Sequence, residues 1–179
     1  MLMLRYAYVL ALAVWLGGMV VLGAIVAPSV FQVLPAYAPV AGRALAGAVF
    51  GTVLQRFHYV AYASGAVLLV TLAAMALLGP RPRSFAIRAA IIAVMLGVAL
   101  YSGVLVLGEI DTLQRELAAT SPATSAADAL VAALPSQLPA DDPRRVRFDQ
   151  LHQLSTRLMM INIAGTLLLL FWEAREHAR

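Results

Sequence analysis

The chain has 179 residues, of which 62% are hydrophobic and 12% charged. Soluble domains carry about 25% charged residues, so roughly half the usual complement is missing and an ordinary water-facing surface could not be covered. The formal charge of +4 comes from Arg alone, with no basic stripe interleaved with aromatics, which excludes nucleic-acid binding; the lack of Cys excludes disulfides, thiolate metal sites and Cys nucleophiles.

Four apolar stretches follow in chain order. The first, Tyr6 to Phe31, is broken only by small residues and Pro28, and predicts a helix over about 4–33. It is far longer than the h-region of a signal peptide. Pro28 removes one backbone hydrogen bond and should kink this helix. Within it, Trp15, Gly17 and Gly18, with Gly23 and Ala27 further on, permit close backbone approach and read as packing positions. Pro35 opens a short turn ending near Arg43.

The second stretch, Tyr59 to Gly79, is preceded by a mixed segment and predicts a helix over 45–79. Pro80-Arg81-Pro82-Arg83 then forms a positively charged stop. The third, Ala89 to Gly108, has 20 residues without a charge and lies in a helix expected over 84–117. A polar loop, 118–143, follows, in which Ala127 to Leu134 can form a short amphipathic surface helix. The fourth stretch, Leu158 to Trp172, belongs to a helix over 145–173.

A hydrocarbon core of ~30 Å needs about 20 helical residues, and each stretch fits or nearly fits. None alternates as a membrane strand would. The fold expected is an all-α integral membrane protein, one domain, a four-transmembrane-helix bundle with a kinked first helix and a polar loop between the third and fourth helices. Its partner is the lipid bilayer; a homo-oligomer or a larger membrane complex is compatible with the sequence. The Arg residues divide almost evenly between the two sides, but the acids concentrate on one. This places both termini and the Arg81 loop in the cytoplasm of a multi-pass inner-membrane protein, with 118–143 outside.

Ionisable residues gather at one level. His58 lies 21 residues before Gly79, Glu109 lies 21 after Arg88, and His152 lies 20 before Trp172. At ~1.5 Å per residue all three sit ~30 Å from the inner boundary. Such charges often simply mark where helices leave lipid, as interfacial anchors; alternatively a pairing such as Arg56 or Arg157 with Glu109 would reduce the cost of a charge at this depth. Periodicity groups them further. His152, Ser155, Met159, Asn162 and Thr166 share one helical face, as do Gly51, Gln55, His58, Tyr62 and Gly65, and as do Ser102, Glu109 and Thr112. Helices in lipid turn polar and small residues towards each other, so these stripes should line the bundle interior.

Trp15-Leu16-Gly17-Gly18, Ala27-Pro28 with Phe31, Leu34-Pro35, Ala41-Gly42, and Phe148 with Leu151-His152 and Ser155 together resemble the transmembrane protein 205-like family. That resemblance spans nearly the whole chain and implies four membrane helices without a settled activity. The tryptophan and paired glycines are also similar to copper-resistance D and HemJ-type membrane proteins.

Three functions are open on this reading. The first is binding or transport of a small polar solute or a metal ion at an outward-facing site of Gln55, His58, Tyr62, Glu109, His152 and Ser155. In it His58, Glu109 and His152 are the ligands of a divalent metal such as zinc or copper(II). The second is a redox membrane protein with His58 and His152 as axial ligands of a haem b. The third is a structural or assembly protein whose polar stripes only pack helices. No Ser-His-Asp order, phosphate loop or H-E-x-x-H pattern is present, which argues against an enzyme.

Overall fold

A computed structural model describes residues 2–79, 84–120 and 125–177, without the side chains of residues 126, 127, 176 and 177. Among these residues every regular element is helical. The order is α1 (Leu2–Val21), a π-helical segment (Leu22–Val26), α2 (Ala27–Tyr37), α3 (Gly42–Leu78), α4 (Phe85–Leu100), a second π segment (Tyr101–Val106), α5 (Leu107–Thr120), α6 (Ala126–Ala132), a 3-10 turn (Pro135–Gln137) and α7 (Pro143–His177). The π segments join their neighbours into continuous helices. Four helices, Leu2–Tyr37, Gly42–Leu78, Phe85–Thr120 and Pro143–Arg175, are then long and apolar enough to cross a membrane. The longest, at 37 residues, reaches ~55 Å and exceeds the ~30 Å that hydrocarbon requires.

Prolines set most of the boundaries. Pro28 does not end the first helix. The Ala27 N–H reaches back to the Leu22 carbonyl, a π turn, and this widened turn lets the continuous helix pass Pro28, which has no N–H to give. Helix also runs through Pro35, beyond the expected break, and stops at Tyr37. The residue that stops it is Pro39. Its ring pushes Ala38 out of the helical region, to φ −132° and ψ 79°. Leu134 before Pro135 and Leu138 before Pro139 are extended for the same reason, which confines α6 and the turn after it. α7 opens earlier than expected, with Asp142 as its cap: Asp142 Oδ1 accepts the Arg144 N–H at 2.8 Å, and Pro143 fills the first helical position. The Pro80–Arg83 stop lies outside the described residues.

The chain divides into two compact units. The first comprises Met1–Val20, Phe57–Tyr101 and Leu158–Arg179, the second Val21–Arg56 and Ser102–Arg157. In the first, Tyr8, Leu12, Trp15 and Met19 recur at spacings of four and three on one face of α1. They pack in a single core with Ala61, Leu68, Leu72 and Met75 of α3, Ile92, Met95 and Ala99 of α4, and Leu169 of α7. In lipid such contacts stabilise by van der Waals fit rather than by escape from water, so small residues at the crossings matter. Gly18 is one: a Cβ there would run into the Phe57 ring. Gly165 is another, where a Cβ would stand 2.7 Å from the Met95 sulfur. Met19, Met75 and Met95 are buried in this core, as filler.

In the second unit α2 and the start of α3 form a hairpin. Gly42 closes it, because any Cβ there would strike the Leu34 carbonyl, and the Phe31 and Phe50 rings meet edge-on at 6.2 Å. Leu22, Ala44, Ala46, Val106, Leu117 and Leu151 are buried. α6 is capped by Ser125, whose Oγ accepts the Asp128 N–H and donates to the Asp128 carboxylate.

Candidate functional site

The stripes read from periodicity face inward only in part. On α3, His58 and Gly65 are buried and Tyr62 is half-buried against the first unit's core, whereas Gln55 is exposed. On α7, Asn162 and Thr166 are buried, Met159 packs on the core, Ser155 is half-buried and His152 is exposed. On the third long helix Ser102 is buried, Glu109 half-buried and Thr112 exposed. Within these stripes, the polar groups that turn inward most completely are therefore uncharged ones.

His58 and Tyr62 are one turn apart, with ring centroids 6.0 Å from each other and planes tilted by 58°. Tyr62 Oη donates to the main-chain carbonyl of Ala99 at 3.4 Å, next to the second π segment. Such widened turns loosen the regular ladder and recur at functional sites. On α7 the Thr166 hydroxyl donates to the Asn162 carbonyl of its own helix at 2.6 Å. The Asn162 side-chain oxygen is buried and has no hydrogen-bond partner among the described residues.

Glu109 and His152 are occupied differently. Arg147 grips Glu109 with two bonds, Nε to Oε1 at 2.6 Å and Nη2 to Oε2 at 2.9 Å. The expected partners Arg56 and Arg157 are exposed and do not supply these bonds. Arg147 holds both carboxylate oxygens, because the fork of a guanidinium matches a carboxylate in two-point geometry. The His152 ring stacks on Phe148, 6.3 Å apart at 8°. His58 belongs to the first unit, and Glu109 and His152 to the second. Among the described residues no group of three or more His, Asp or Glu side chains is placed to hold a metal ion.

The neighbouring arginines of α7 are also engaged. Arg144 holds Asp142 through Nε and Nη2, at 3.2 and 2.9 Å, and Arg145 donates to the Leu138 carbonyl at 2.8 Å. The side-chain bonds from Arg144, then its backbone N–H, keep the Asp142 carboxyl below the usual carboxylate range. The basic run at 144–147 thus ties the start of α7 to the loop and to α5.

A buried ion pair of the first unit lies outside the site residues expected from sequence. Arg88, in the first turn of α4, pairs with Glu173, near the end of α7, at 2.9 Å, with side chains 2% and 7% exposed. In sequence both resemble boundary charges. The available signal is that each interrupts an otherwise apolar run on its own helix, three residues inside α4 and one past Trp172.

A family model for a domain of unknown function (DUF4149) matches residues 10–119. The chain belongs to that family. The matched segment holds Gln55, His58, Tyr62, Arg88 and Glu109, while His152, Ser155, Asn162 and Glu173 lie beyond it. No curated protein and no solved structure matches the chain.

Proposed function

We propose that this four-pass membrane protein, with its termini in the cytoplasm, binds a small uncharged polar solute through neutral hydrogen-bonding groups of its first unit: His58 and Tyr62 on α3 and Asn162 on α7. The observation that carries this reading is the Asn162 side-chain oxygen, a buried acceptor with no partner among the described residues. Within hydrocarbon a polar group gains nothing from its surroundings, and a buried acceptor left unpaired costs about 1–3 kcal/mol. A ligand that donates a hydrogen bond would recover that cost. His58 can donate or accept, and Tyr62 already donates weakly to Ala99 and keeps acceptor capacity.

A divalent metal held by His58, Glu109 and His152 is less favoured. Both Glu109 oxygens are engaged by Arg147, and a cation would have to displace that guanidinium. A haem b between His58 and His152 is less favoured because His152 is exposed and stacked on Phe148.

A thermal-shift panel of neutral amino acids, sugars and polyols on the detergent-solubilised chain tests the reading. A ligand at about 100 times its Kd stabilises by about 2.7 kcal/mol, well within detection. At least one class is expected to raise Tm in the wild type and not in Asn162→Leu or His58→Ala. Shifts that persist undiminished in both variants would contradict the proposal.

A further inference from the structure

Arg88 and Glu173 stand 85 positions apart in sequence, on the first turn of α4 and the end of α7, and meet at 2.9 Å with both side chains almost fully buried. Taking two charges out of water offsets most of what their attraction gains, so a buried pair is weak evidence of added stability. Its best-attested use is to specify one arrangement over others. Beside the pair, the groove that α4 and α7 share is lined by aliphatic residues, with the Met95 side chain close against Gly165. On α4, Ala86, Ile87, Ala90, Ile91 and Val94 offer aliphatic side chains of similar shape, and Ile161 and Gly165 of α7 face the same groove. Aliphatic side chains of similar shape carry little directional preference, so such a groove distinguishes registers less sharply than a charge pair does. A one-turn shift of ~5.4 Å would exchange aliphatic neighbours for similar ones but would pull the two opposite charges apart in a buried setting.

We propose that the Arg88–Glu173 pair is a registry device: it selects the axial position of α7 against α4 and thereby sets the height at which the inward-facing residues of α7, Asn162 among them, meet the neighbouring helices. The proposal does not depend on what the protein binds. It predicts that the two charges are exchangeable as a pair but not singly.

The chain contains no Cys, so an introduced pair reports the register directly. Met95→Cys with Gly165→Cys is suitable. A Cβ at 165 stands 2.9 Å from the Met95 Cγ, the position that the sulfur takes over in Met95→Cys, and the clash with the Met95 sulfur is removed. The full chain carrying this pair is oxidised in membranes, alone and with Arg88→Glu, Glu173→Arg or both. The parent is expected to cross-link nearly fully, each single reversal to lose most of the cross-link or of the membrane-inserted protein, and the double reversal to recover both. Single reversals that cross-link like the parent would overturn the proposal. So would a double reversal no better than the singles, since each charge would then be required at its own position.

Discussion

Arg147 closes a two-point fork on the Glu109 carboxylate, joining α7 to α5 within the second unit. That relationship redirects attention from the charged residues to the neutral ones. The acid that best suited a metal ligand is already neutralised, while a buried amide oxygen on α7 is not hydrogen-bonded among the described residues.

The fork itself should contribute modestly. Its side chains are 51% and 41% exposed, so screening leaves a pair of this kind worth less than about 1 kcal/mol. Arg147→Ala should therefore lower the unfolding free energy by no more than that, and the loss should shrink as salt is raised. A double-mutant cycle with Glu109→Ala in chemical denaturation measures it; a coupling of several kcal/mol would mean that the pair is far less solvated than its exposure indicates.

Gly17 and Gly18 should part company. A Cβ at 17 meets nothing within 4 Å, whereas at 18 it enters the Phe57 ring. Gly17→Ala should be neutral or stabilise by up to about 1 kcal/mol through helix propensity. Gly18→Ala should destabilise by about 1–3 kcal/mol, the usual range for overfilling a packed interior. Thermal unfolding of both in one detergent decides, and equal effects would contradict the packing described.

Ser84 precedes α4 with φ 63° and ψ 26°, in the left-handed region, and its side chain makes no capping bond. A residue with a Cβ is strained there by about 1–2 kcal/mol, and glycine loses part of that gain to its freer unfolded chain. Ser84→Gly should raise stability by up to about 1 kcal/mol, and Ser84→Ala should change it little. A loss of stability in the glycine variant would show that the hydroxyl matters.

Asp142 caps α7 and is held below the usual carboxylate range by Arg144. A carboxyl whose folded pKa is depressed contributes its stabilisation in full above the unfolded value of about 3.9, and that contribution is lost as pH falls through the lower folded value. Protection of the Arg144 amide against hydrogen exchange should therefore hold at neutral pH and fall away below about pH 4. In Asp142→Asn the step should vanish. A step retained in that variant would assign it to another acid.

The sequence disclosed the helices because a membrane span is a bulk property. Twenty residues without a charge between Ala89 and Gly108 leave few alternatives. Boundaries were harder, since the helix runs through Pro28 and Pro35 but ends before Pro39 and begins at Pro143, and the residue type alone does not tell these cases apart. The inward faces of His58, Asn162 and Thr166 were legible from their spacing. The partners of the charges were not. Helical periodicity gives the face of a residue but not its exact height against another helix, so Glu109 was matched to Arg56 or Arg157 rather than to Arg147, and Arg88 and Glu173 looked like two anchors rather than one pair.

The central claim, that a small polar molecule reaches the uncharged interior groups of the first unit, is tested most directly by thiol accessibility in this Cys-free chain. Single cysteines at His58, Asn162 and, as buried apolar controls, Ala61 and Leu68 would be exposed in intact cells to a small membrane-impermeant methanethiosulfonate. Reaction at 58 and 162 with inert controls is the expected outcome. Cysteines at 58 and 162 as unreactive as those at 61 and 68 would contradict it, leaving polar groups that only pack helices together.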